Sequence, residues 1–97
     1  MDDSTRDGII RTGWDIHAVV EEGVLAAAAD PLERRRLLLA DMAIHLLQTA
    51  IKPGDIELDK LRNNLHAILT IADPLLPDAG LKSATAKIYV DADAADA

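Results

Sequence analysis

At 97 residues the chain has length for one domain, and without cysteine it has neither disulfides nor thiolate chemistry. Seventeen acidic against ten basic residues leave a formal net charge of −7, which argues against nucleic acid or an anionic membrane as partner and suits a basic protein surface. With no Phe, one Trp and one Tyr, any core must come from Leu, Ile, Val and Ala, which favours close helix–helix contact over a sheet.

Residues 1–4 are expected to fray. A first helix is predicted from Thr5 to Ala29, with an inner stripe of Ile9, Gly13, Ile16, Val20, Val24 and Ala27. Asp7, Arg11 and Asp15 sit four apart outside that stripe. Gly13 and Gly23 lie close to it. Each costs a helix interior about 1 kcal/mol relative to Ala, which points to close backbone approach or, at Gly23, to a kink.

Asp30-Pro31-Leu32-Glu33 is the sharpest local signal. Asp30 is placed to cap new N–H groups, Pro31 suits the first helical position, and Glu33 stands where a capping box wants its carboxylate. A second helix is predicted from Pro31 to Ile51, stopped by Lys52-Pro53-Gly54-Asp55, with Asp55 as the next cap. The third, from Ile56 to Ala72, carries a seam of Leu58, Leu61, Leu65, Ile68 and Ala72 and should pack antiparallel to the second.

Asp73-Pro74-Leu75-Leu76-Pro77 ends that helix. Leu81, Ala84 and Ile88 then predict a short fourth helix, favoured over a strand at Lys87–Asp91 because a lone strand has nothing to pair with. The acidic tail, residues 91–97, is expected to be disordered. The expected architecture is one all-α domain over residues 1–97: a small bundle of three main antiparallel helices and a short fourth. No apolar run is long enough to span a membrane, and the polar N-terminus is unlike a secretory or transit peptide, so a cytoplasmic location is expected.

Leu37–Ile51 is the most telling stretch: eleven of its fifteen residues are apolar. A helix apolar nearly all round must be covered on most sides, and a chain this short has little material to cover it. Association with a second chain follows, a homodimer first. The candidate interface residues are Trp14, Leu38, Leu39, Met42, Leu46, Leu65 and Ile68. The expected function is that of a small acidic, non-catalytic interaction or regulatory protein that binds a protein partner through an apolar helical face.

The chemistry-bearing residues are few. His17, His45 and His66 fall one in each main helix. Reflection about the two turns brings His17 and His45 to similar heights and leaves His66 about one turn away, which disfavours a three-His metal site. Asp41 and His45 stand one turn apart, but with Gln48 and Lys52 they continue one narrow polar stripe of helix 2, which ordinary surface pairing explains. Arg34-Arg35-Arg36, the one basic cluster, splays around the helix as a solvated collar. A DNA-reading third helix would offer only Lys60 and Arg62 amid Glu57 and Asp59.

There is no P-loop, GxGxxG, GxSxG or calcium loop, and no HExxH. Catalytic residues, cofactor and metal are therefore not expected. Two other readings stay open: an accessory subunit or small enzyme with a site at His17, Asp41 and His45, and an acidic inhibitor presenting Asp55, Glu57, Asp59 and the tail to a basic cleft.

Overall fold

The computed structural model describes residues 1–27 and 29–96, with side chains as far as Tyr89. Four helices follow one another: α1 (Asp3–Ala26), α2 (Pro31–Ile51), α3 (Leu58–Ala72) and α4 (Leu81–Asp96), with a 3₁₀ turn at Asp73–Leu75. The described residues contain no strand, so the fold is all-α and the segment after Gly80 is helix.

Short polar side chains set the helix starts. The Asp2 carboxylate accepts from the Thr5 N–H at 2.7 Å, so α1 begins at Asp3, inside the stretch expected to fray. That backbone bond also holds the Asp2 carboxyl below its ordinary 3.8. Asp30 accepts from the Glu33 N–H at 3.2 Å with Pro31 in the first helical position, and α2 has its predicted bounds.

α3 starts two residues later than expected, and its cap position is Glu57 rather than Asp55. The Glu57 carboxylate is drawn away from the helix end by Lys52 at 2.7 Å and Lys60 at 3.2 Å, and it makes no capping bond. Gly54 turns this loop at φ +89°, in the left-handed region where a side chain would be strained. Asp73 receives the Lys82 N–H at 3.0 Å and tethers the start of α4 to the end of α3. The α4 backbone continues to Asp96, longer than expected and through most of the tail expected to be disordered; the side chains from Val90 on and all of Ala97 lie outside the described residues.

Packing runs between chain neighbours, α1 on α2, α2 on α3 and α3 on α4. The bundle is therefore an open layer of 43 × 38 × 17 Å, under two helix diameters thick. Each hairpin sets the start of one helix against the end of the next. Arg6 donates to the Ile51 carbonyl, and Arg35 donates to the Ile71 carbonyl at 2.8 Å. Two arginines thus satisfy carbonyls that a helix end leaves without partners. The solvated collar needs revising to that extent: Arg35 reaches α3, Arg36 stands 4.0 Å from Glu33, and Arg34 is exposed.

The predicted inner stripe of α1 holds in Ile9, Val20, Val24 and Ala27, which are half-buried, and in Gly13, and departs at Ile16. Gly13 is the one buried residue described, and a Cβ added there would lie 2.9 Å from Gln48 Nε2. His17 is half-buried, whereas Ile16 is 46% exposed. α1 meets α2 through Gly13, His17 and Gly23, which face Gln48, Asp41 and Leu37. On α2 the polar stripe of Asp41, His45 and Gln48 faces α1 instead of water, as bonds from Gln48 to the Ile10 carbonyl at 3.4 Å and from His17 to Asp41 show.

That choice has a cost in apolar cover. With its polar stripe spent on α1, α2 leaves Ala40, Ala43, Leu47 and Ala50 exposed. Among the described residues no hydrophobic side chain is fully buried, and Trp14, Val19, Leu25, Leu32 and Leu58 are each more than half exposed.

Candidate functional site

Three side chains from two helices converge on one point. Asp41 and His45 are an (i, i+4) pair on α2, which puts both on one face; His17 enters from α1 across the glycine contact. His17 Nδ1 lies 2.5 Å from Asp41 Oδ1, and His45 Nε2 lies 3.3 Å from Asp41 Oδ2. One carboxylate thus serves two imidazoles, one oxygen to each. The imidazole ring centres are 4.9 Å apart, edge to face.

The surroundings fix these rings. The second nitrogen of His17, Nε2, is 3.4 Å from Glu21 Oε2, one turn further along α1. Trp14 packs its edge against both imidazoles, with centres 5.6 Å from His17 and 6.0 Å from His45. Side-chain exposures of 24% for His17, 15% for Asp41 and 28% for His45 leave the cluster partly open on one side. Trp14 and His45 also line an adjoining cleft of about 520 Å³, closed on its far side by Lys60, Asn63 and Asn64 of α3.

His17 and His45, which the turn positions bring to similar heights, are the histidines that meet, and His66 stands apart on the exposed side of α3, 5.8 Å from the Tyr89 ring. What the sequence reading misplaced is Asp41 and His45, which face a neighbouring helix. Glu21 was not singled out at all. Its signal is the His17–Glu21 spacing of one turn, which every helix offers many times over.

On the other face of the α1–α2 hairpin runs a second groove of about 360 Å³. Thr5, Gly8, Ile9, Thr12, Gly13 and Ile16 of α1 line it with Ile44 and Leu47 of α2. None of these carries a charge.

The candidate interface residues do not share one face. Trp14 is 52% exposed and lies beside the His/Asp cluster. Met42 lies seven residues from both Arg35 and Thr49, so the three form one row along α2. Arg35 reaches the Ile71 carbonyl and Thr49 Oγ1 bonds Asn64 Oδ1 at 2.6 Å, which turns that row towards α3. Leu38 and Leu46 flank it, and all three apolar residues are half-buried. Leu39, Leu65 and Ile68 are half-buried too. Of the acidic residues considered for a basic cleft, Glu57 is held by two lysines and Asp59 pairs with Arg62 at 3.1 Å.

Among the described residues no helix is long and apolar enough to cross a membrane. No protein-family model matches this chain, nor does any curated protein or solved structure compared with it.

Proposed function

We propose that the chain is a non-catalytic protein-interaction domain that works as a homodimer, a second copy covering apolar surface that one copy leaves open. The observation that carries this reading is the lack of any fully buried hydrophobic side chain among the described residues. Two bulk quantities support it. The accessible surface is 6691 Å², against about 5,400 Å² for a compact monomer of this mass. The radius of gyration is 15.4 Å, against about 13 Å for a compact chain of 100 residues.

Charge selects the face. Two chains of net −7 repel, so a self-interface must exclude acidic side chains. The groove along Ile9, Ile16, Ile44 and Leu47 does so. The test is thermal unfolding over a wide range of protein concentration, on the wild type and on Ile16→Glu. A dimer whose folding is tied to association gives a Tm that rises with concentration, and Ile16→Glu lowers it. A concentration-independent Tm that Ile16→Glu leaves unchanged refutes the proposal.

A further inference from the structure

We infer that His17, Asp41 and His45 form a binding site for a divalent first-row transition-metal ion of the Zn²⁺ or Co²⁺ type. One ligand atom from each of the three lies within 4.8 Å of the other two. Two imidazoles and a carboxylate, with no thiolate, are a donor set for borderline transition ions and a poor one for Mg²⁺ or Ca²⁺, which take oxygen ligands.

The site is held before any ion arrives. Gly13 seats α1 on α2 one turn from His17, and Gln48 reaches the Ile10 carbonyl less than one turn beyond His45. His17 turns Nδ1 to Asp41 and Nε2 to Glu21. A carboxylate on the outer nitrogen of a ligating imidazole fixes its tautomer and raises its basicity, so Glu21 is the positioning residue. An ion would sit among the facing atoms of the three side chains, in place of the hydrogen bond that now joins His17 to Asp41. Three protein ligands leave coordination positions for water or for a small ligand entering by the cleft beside His45.

This inference rests on the α1–α2 contact alone and stands or falls apart from the dimer. Co²⁺ added to the untagged full-length chain reads the site twice: by the ligand-field absorption of imidazole-bound cobalt, and by quenching of Trp14, the single tryptophan. The expected result is saturation at one equivalent per chain, reversed by Zn²⁺ and not by Mg²⁺. His17→Gln, Asp41→Asn and His45→Gln should each weaken binding about tenfold or more. His66→Gln removes a histidine from the exposed side of α3 and should leave binding unchanged.

Far-UV circular dichroism of every variant separates loss of ligands from loss of fold. Should the three variants unfold, the wild type alone decides: Zn²⁺ raises its Tm and Mg²⁺ does not. Absence of saturable binding, equal weakening by His66→Gln, or folded triad variants that bind like the wild type would overturn the assignment.

Discussion

Two glycines of α1, one turn and a residue apart, should respond to substitution in opposite directions. At Gly8 an added Cβ meets nothing within 4 Å, so Gly8→Ala gains only helix propensity and lower unfolded-state entropy. The gain is about 0.5–1 kcal/mol. A 1 kcal/mol change moves Tm by about 4–8 °C in a domain of this size, so Gly8→Ala should raise it by about 2–8 °C. At Gly13 the same atom would stand 2.9 Å from Gln48 Nε2 and 3.4 Å from its Cγ. Gly13→Val adds two more carbons to that contact. Overpacking of this kind costs about 1–3 kcal/mol, against a few tenths recovered from propensity. The net loss of about 0.7–2.7 kcal/mol should lower Tm by about 3–20 °C. Circular dichroism melts of the two variants at one protein concentration measure both. If Gly13→Val melts at or above the wild type, or both changes shift Tm alike, the close approach of α1 to α2 is wrong, and the His17–Asp41 contact with it.

Leu46→Asp places a charge on the half-buried side of α2 that faces α3, and should dissociate or unfold the protein. Losing the apolar contact alone costs up to about 1.5–3 kcal/mol, and an unchanged melting curve would show that the facing of α2 is misassigned. Thr49→Val removes the hydroxyl that bonds Asn64 at 2.6 Å and should cost about 1 kcal/mol in urea denaturation; no change in midpoint would show that this bond does not hold α3 to α2. The Lys52–Glu57 pair should give a pH-dependent difference between the wild type and Glu57→Gln. The hydrogen bond to Lys52 lowers the Glu57 carboxyl from 4.5, so its contribution is present above that value and fades as pH falls through the lower, folded one. The hydrogen bond to Glu57 raises Lys52 from 10.5, so that contribution is complete below 10.5 and fades as pH rises through the higher, folded value. Melts across pH should therefore show a constant difference between these limits, shrinking on both sides; a difference that grows in acid would contradict the pairing.

The elements were legible because their signals are local. Asp30 and Pro31 fix the start of α2, and the Pro53-Gly54 turn ends it, with no help from the rest of the chain. The start of α3 was less legible, since two lysines compete for the carboxylate at its cap position. The site was half legible. Helix spacing pairs Asp41 with His45, and turn positions bring His17 to their height, but neither says which way a polar stripe faces. A stripe of Asp, His and Gln normally meets water; here His17 and the backbone at Ile10 supply polar partners, so α2 turns it inward. The partners of the arginines were not legible. Arg6 and Arg35 sit in early turns, where their charge opposes the local helix dipole, and each is matched instead to the carbonyl end of the next helix.

The central claim is that one copy of this layer does not close its own apolar surface. Sedimentation equilibrium at micromolar concentration measures this directly. The account predicts a mass of twice 10.4 kDa, with dissociation on dilution accompanied by loss of helical signal. A single species of 10.4 kDa that stays helical and unfolds cooperatively would contradict it.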